Sequence, residues 1–342
     1  MHCVPTAAMV KYKIGKEVDA METMKAWVLR EPQKLELCSV PVPQPGCDEV
    51  LIRVEASCLC NGSDPGIYRG HEAYTTPFVF GHESSGIIVK AGEDTAGFRV
   101  GDRVSFWCAT GAFAEYQAVS PRRVAMFRVP ERLTIEETPI LELVIASCRS
   151  LMRFPPVPGR RKLCICGLGP SGLVLTQYAR LLGYEKITGW DLYPNRRELA
   201  VELGADAVYD PSELSREKIA EMELSDISVV MMGDDLLKDK STVTNLMRAT
   251  AVGGTVVSYG HPENGMCFSP FVFQSRDLTM VGPSNDMELI RTKGQEIMEA
   301  LEQGKIRIAP LITHRLKFED IGAAMEQLLR SPEKQIKAVF TL

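Results

Sequence analysis

No stretch of this 342-residue chain approaches the roughly 20 consecutive apolar residues of a membrane helix, which argues against a membrane protein. An excess of basic charge is also missing: 39 lysines and arginines stand against 44 aspartates and glutamates, for a net charge of −5. That balance lacks the footprint with which proteins neutralise phosphate backbones, so no nucleic-acid partner is expected. Internal repeats and low-complexity tracts are absent as well. The stretch before Met24 has only one apolar patch, residues 7–10, too short for the core of a secretory signal and followed by charges. The expectation is a cytoplasmic protein whose first domain starts at Met21 or Met24. Ten cysteines without a secretory signal read as reduced thiols rather than a disulfide framework.

What is present suits two folded domains. Charged residues make up 24% and apolar residues 45%, near the average for globular proteins, and the length predicts two cores. The first half reads as β-rich. Residues 49–56 (EVLIRVEA) alternate, with Val50, Ile52 and Val54 on one face and Arg53 and Glu55 on the other, as a half-buried strand does. Further strands are expected at 24–29, 79–80, 86–90 and 103–106, separated by proline- and glycine-bearing turns, giving a small barrel or folded sheet. From about Arg161 strand and helix alternate. Strands at 162–166, 186–190, 207–209, 227–232, 255–259 and 278–281, with helices between them, predict a mostly parallel sheet. Two amphipathic helices, 287–303 and 319–330, flank a short strand near 311–314.

Gly167-Leu168-Gly169-Pro170-Ser171-Gly172 has the form GxGxxG. It follows an apolar strand and opens a helix, the setting in which such a turn holds a dinucleotide. The first glycine allows the tight turn, the second lets a pyrophosphate approach the backbone, and the third lets helix and strand pack closely. The helix N-terminus adds N–H groups and the positive end of its dipole. Asp191, at the end of the next strand, can accept from both ribose hydroxyls and would repel a 2′-phosphate, so NAD is expected over NADP. Arg196 and Arg197 stand close enough to weaken that preference, and Arg196 joins the expected cofactor-binding set. The alternative is a glycine-rich turn that binds no dinucleotide.

Cys60, His82 and Glu83 are separated in sequence, yet each falls at a strand end or loop of the β-rich half. Thiolate, imidazole and carboxylate are ligand types that zinc accepts, and a catalytic zinc takes three and keeps one position open. Glu142 sits in the apolar run Ile140-Leu141-Glu142-Leu143, where a buried carboxylate needs a partner such as a metal or a metal-bound water. Residue by residue, other readings stay open: a cysteine is often only buried, and a single histidine is often structural. Cys164 and Cys166 alternate on a strand and read as core, and the same alternation assigns Cys58 to core packing. His71, His261 and His314 fit no motif. Phe106, Trp107 and Phe113 suit either a pocket wall or a barrel core, and Arg149 suits either a salt bridge at a domain junction or an anion-preferring pocket.

Taken in order, the segments resemble the medium-chain dehydrogenase/reductase superfamily, in its zinc-dependent alcohol and polyol dehydrogenase branch. The matching pieces are Pro45-Gly46-Cys47-Asp48-Glu49-Val50-Leu51, Cys60 ahead of Gly62-Ser63-Asp64, Gly81-His82-Glu83, Gly101-Asp102-Arg103-Val104, Gly111-Ala112-Phe113-Ala114-Glu115-Tyr116 and the glycine turn. The resemblance implies an α/β protein. Residues 24–150, completed by 287–342, would form a GroES-like β-rich catalytic domain, residues 151–286 a doubly wound parallel-sheet Rossmann domain, and residues 1–23 an N-terminal extension. It implies Cys60 and His82 as zinc ligands, Glu83 on or just behind the metal, and Glu142 at the remaining position directly or through water. Ser63 resembles the hydroxyl that relays the substrate proton, and Asp64 the carboxylate that orients the zinc-bound histidine.

The implied activity is hydride transfer between a secondary alcohol or polyol, with a sugar derivative among the candidates, and NAD(H), in a homodimer or homotetramer. Three departures stand out. Asn61-Gly62 are two residues where the family usually places one before the hydroxyl residue, and Pro65-Gly66 replace a histidine often found after the aspartate. Many members also carry four closely spaced cysteines for a structural zinc, whereas residues 104–113 contain only Cys108, so one catalytic zinc per subunit and no structural zinc are expected. Two other readings are set against this one. A zinc-free NADPH-dependent quinone or enone reductase of the same superfamily is opposed by Cys60, His82 and Asp191, and a nucleotide-binding protein without catalysis is supported only by the extra residue before Ser63.

Overall fold

The computed structural model describes residues 22–71, 74–231, 241–260 and 265–342. Residues 1–21 of the expected extension, the end of the expected strand 227–232, and His261 lie outside the described residues. In chain order the strands are β1 (Thr23–Glu31), β2 (Lys34–Pro41), β3 (Val50–Cys58), β4 (Phe78–Val79), β5 (Glu83–Ala91), β6 (Arg103–Trp107), β7 (Tyr116–Val119), β8 (Ala125–Arg128), β9 (Lys162–Cys166), β10 (Lys186–Trp190), β11 (Ala207–Tyr209), β12 (Ser225–Val230), β13 (Thr250–Ser258), β14 (Thr279–Val281), β15 (Ile312–Lys317) and β16 (Lys337–Thr341). The chain forms two compact units, one from the residues up to Ile145 with Asn285–Glu302 and Ile312–Leu342, the other from Ala146–Ser284 with Gln303–Leu311. Among the described residues, no helix is long and apolar enough to cross a membrane.

The first unit pairs a sheet in the order β15-β16-β3-β5-β6-β8, with β7 also on β3, and a small sheet β2-β1-β4. The alternation of β3 predicts one buried face. Val50 and Ile52 do pack with Ile88, Val104, Phe106 and Val119. Leu51, on the other face, is also buried, because it packs with Met24, Val28, Val40 and Val79 of the small sheet. β3 is therefore covered on both sides, and its apolar content follows from that. Phe106 and Phe113, which suited a pocket wall or a core, both belong to core clusters.

In the second unit the order is β11-β10-β9-β12-β13-β14 with every pair parallel. Counted within the unit this is the doubly wound order 3-2-1-4-5-6, whose switch point lies beside β9. Gln303–Leu311 belongs to this unit, whereas the sequence boundaries assigned residues 287–342 together to the other. The cause is local: the Gln177 side chain accepts from the Arg307 N–H at 2.8 Å and donates to the Arg307 carbonyl at 3.1 Å, holding the segment as a second backbone would.

A Cβ on Gly86 would lie 2.1 Å from the Arg53 carbonyl oxygen, across the pairing of β5 with β3. Gly86→Ala is expected to lower stability by about 1–3 kcal/mol, the usual cost of overpacking. Gly282→Ala, with nothing within 4 Å, is expected to stay within about 0.5 kcal/mol of the parent in the same denaturant titration.

Candidate metal centre and nucleotide turn

Gly81 begins the first site. Its φ is +80°, an added Cβ would lie 2.4 Å from the Phe113 ring, and its carbonyl accepts from Gly111 and Ala112 at 2.8 and 3.1 Å. Only glycine fits this turn, which delivers His82 and then Glu83 at the start of β5. Cys60 follows the end of β3 and precedes the short helix Asp64–Arg69. The Cys60 N–H donates to Asp64 Oδ2 at 2.9 Å, while Asp64 Oδ1 lies 3.2 Å from His82 Nδ1. A carboxylate beside Nδ1 keeps the proton on that nitrogen and leaves the Nε2 lone pair for a metal.

Among the described residues, one thiol, one imidazole and one carboxylate converge: the ligand atoms of Cys60, His82 and Glu83 all lie within 4.8 Å of one another. Glu83 Oε1 is buried with no hydrogen-bond partner and lies 3.9 Å from His82 Nε2. A sulfur, a nitrogen and an unpartnered buried oxygen are the donor set of a catalytic zinc, so the residues fit that ion. Despite the two-residue spacer, Ser63 Oγ comes within 3.4 Å of His82 Nε2. Burial opposes a charge on His82, yet Asp64 and Cys60 outweigh it and hold its pKa well above the ordinary value, so a proton competes with a metal for this ring.

The nucleotide turn occupies the carboxyl end of β9. Gly167 has φ +104°, and a Cβ on Gly172 would lie 2.0 Å from the Gly167 oxygen, which gives the third glycine its packing reason here. Around Gly169 the nearest atom to an added Cβ is Arg196 Nη1 at 3.9 Å, so the approach to the backbone is open. The helix Pro170–Leu182 starts there with no side-chain cap, as a phosphate-binding end requires. Asp191 is 1% exposed, and its two oxygens accept from the Leu168 and Tyr193 N–H groups at 2.7 and 2.9 Å. The carboxylate that would read the ribose thereby also shapes the glycine turn. Arg196 lies over the Tyr193 ring at 4.6 Å and 3.9 Å from Asp191 Oδ2. Arg197, by contrast, is directed to the Asp191 and Leu192 carbonyls and to Asp210, a structural set of partners.

These features meet two family descriptions: the alcohol dehydrogenase GroES-like domain over residues 46–131, and the zinc-binding dehydrogenase domain over residues 170–302. The chain belongs to the zinc-dependent alcohol and polyol dehydrogenase branch of the medium-chain dehydrogenase/reductase superfamily. It is similar to a D-xylulose reductase of Saccharomyces cerevisiae (24% identical, covering 94% of this chain and 98% of the relative) and to an L-idonate 5-dehydrogenase of Vitis vinifera (27%, 96% and 97%). Its fold is that of the galactitol-1-phosphate dehydrogenase of Escherichia coli, with a TM-score of 0.80 at 22% identity over 93% of this chain and all of that one. Zinc and a nicotinamide cofactor come with this family.

Glu142 is buried in the first turn of the helix Leu141–Cys148 and stands outside the mutually close set of Cys60, His82 and Glu83, which leaves the expected approach through water untouched. One expectation for this dehydrogenase reads differently in three dimensions. Cys58 is buried but does more than fill the core, since its Sγ donates to Glu83 Oε2 at 2.7 Å. Arg149 Nε donates to the Ser284 carbonyl at 2.6 Å. Sequence reasoning missed Lys337, whose ammonium donates to the same Glu83 Oε2 and, at 2.6 Å, to the Leu59 carbonyl. Burial works against its charge, but the facing Cys58, Glu83 and Cys60 outweigh that and raise its pKa. A charged residue inside the apolar run IKAVF was the available signal, the same one that singled out Glu142.

Gly172→Ala is expected to weaken NADH binding by about tenfold or more, since strain of at least 1.4 kcal/mol would fall on the turn. A fluorescence titration reads this, with zinc content unchanged because the metal residues lie in the other unit.

Proposed function

We propose that this chain is an NAD-dependent, zinc-containing dehydrogenase that moves a hydride between a secondary alcohol or polyol and the nicotinamide. The observation that carries the reading is the convergence of Cys60, His82 and Glu83, with Ser63 Oγ at its edge. When bound, the metal supplies Lewis-acid polarisation of the substrate hydroxyl and the nicotinamide supplies the hydride chemistry. Asp64 fixes the tautomer of His82 and, through the Cys60 N–H, the loop that carries the thiolate. Ser63 Oγ is the group at hand to take the hydroxyl proton. With Pro65-Gly66 where many relatives have a histidine, the proton leaves Ser63 by another route.

A sugar-derived polyol is supported by the relatives named for D-xylulose and L-idonate, which match over nearly their whole length. The reading assigns one zinc per chain from Cys60, His82 and Glu83 and no structural zinc, since residues 104–113 offer only Cys108. Assembly as a homodimer or homotetramer in the cytoplasm completes it.

NAD is favoured over NADP because the Asp191 carboxylate, pinned by two backbone N–H groups, cannot swing away from a 2′-phosphate. Arg196 softens this discrimination from 3.9 Å. Asp191→Ala is expected to raise KM for NAD by about tenfold or more, as losing a hydrogen bond to a charged acceptor costs about 1.5–3 kcal/mol, and to lower KM for NADP. Equal use of both cofactors by the parent would contradict the assignment.

Metal analysis with a polyol and sugar-alcohol panel, following NADH, tests the whole reading. About one zinc per chain is expected, lost together with turnover in Cys60→Ala. Full turnover after complete zinc removal, or no turnover across the panel, would sink it.

A further inference from the structure

The two oxygens of Glu83 have unlike surroundings. Oε2 accepts from the Cys58 thiol at 2.7 Å and from the Lys337 ammonium. Oε1 has no hydrogen-bond partner and lies 3.9 Å from His82 Nε2. Cys58, Glu83 and Lys337 are all 0% exposed, so no water competes for these contacts. Strand register brings them together: Cys58 on β3 stands opposite Glu83 on β5 and, on its other side, opposite Val339 on β16, the strand that Lys337 opens.

We propose that Lys337 and Cys58 are positioning residues that lock Glu83 by Oε2 and so present Oε1 to the metal beside Cys60 and His82. A carboxylate whose donors all lie on one oxygen has one orientation, not two. Both donors have their own anchor. The ammonium also holds the Leu59 carbonyl, immediately before Cys60, so one side chain sets a carboxylate ligand and the loop of the thiolate ligand together. Cys58 is fixed by β pairing on both of its edges. Partners that fix a metal-bound carboxylate from behind typically change metal affinity 10–100-fold when removed. The proposal rests on the reading that Cys60, His82 and Glu83 hold the metal.

The test measures zinc affinity by chelator competition and the absorption spectrum of the cobalt-substituted protein. Lys337→Met and Cys58→Ala are each expected to weaken zinc by about tenfold or more and to alter the cobalt spectrum. Cys58→Ser, which keeps a donor, is expected to recover most of the loss. In a Glu83→Gln background, Cys58→Ala is expected to change affinity by no more than about twofold, because its side chain acts on Glu83 alone, whereas Lys337→Met keeps the part of its effect that passes through the Leu59 carbonyl. A merely structural lysine would instead lower the melting temperature of the metal-free protein and leave the zinc affinity of the folded protein alone. Cys58→Ala leaves the Lys337–Glu83 pair in place, so it carries the test should Lys337→Met fail to fold. If the parent binds zinc through Cys60 and both variants bind it equally well with unchanged cobalt spectra, the lock is overturned and the metal site stands. If the parent takes up no zinc, or Cys60→Ala binds it as tightly as the parent, the metal site falls and the lock with it.

Discussion

A carboxylate shut away from water has to be matched by donors built into the fold, and Glu83 is where that constraint governs this chain. The effective cost of stripping an ion of water is several kcal/mol, and removing one member of a buried pair costs about 3–5 kcal/mol. Glu83 meets the demand on one oxygen only, through Lys337 and Cys58, and its other oxygen remains without a partner. That imbalance has a physical use if a cation occupies the position shared with Cys60 and His82. The order β16-β3-β5 exists to the residue that makes it possible: a slip of one position in either pairing would turn Lys337 or Glu83 to the opposite face.

The nucleotide turn obeys a related constraint with backbone groups in place of side chains. Asp191 is almost wholly buried, and burial pushes its carboxyl up while Arg196 and the Tyr193 and Leu168 N–H groups draw it down. It is therefore part of the loop's scaffold, and in the proposed reading the same group is the acceptor for the sugar. The same carboxylate also holds Leu168 in the turn, so part of what any substitution there does passes through the shape of the loop.

Much of this was legible in the sequence, and unevenly. β9, β10 and β11 lie at the residues expected of them because short apolar runs bounded by glycine and helix signals are local features. The GxGxxG turn was legible for the same reason. β2, β7, β8 and β16 were not anticipated: β7 and β8 are only four residues each, and their place depends on partners far away in sequence. The residues around Cys60 and His82 were legible by motif. Their arrangement was not, since nothing in the spacing Asn61-Gly62 states that Ser63 Oγ still reaches His82. Cys58 read as core because alternation reports burial and not hydrogen bonding. Lys337 was overlooked because its partner lies 254 residues away, a distance that no periodicity spans.

Everything proposed for this chain depends on which of its atoms meet the metal. X-ray absorption at the zinc edge of the zinc-loaded protein reports those atoms directly, without substrate or cofactor. A shell with one sulfur, from Cys60, and otherwise nitrogen and oxygen is expected, with the sulfur lost in Cys60→Ala. A shell of several sulfurs, or one with no sulfur, would contradict that ligand set.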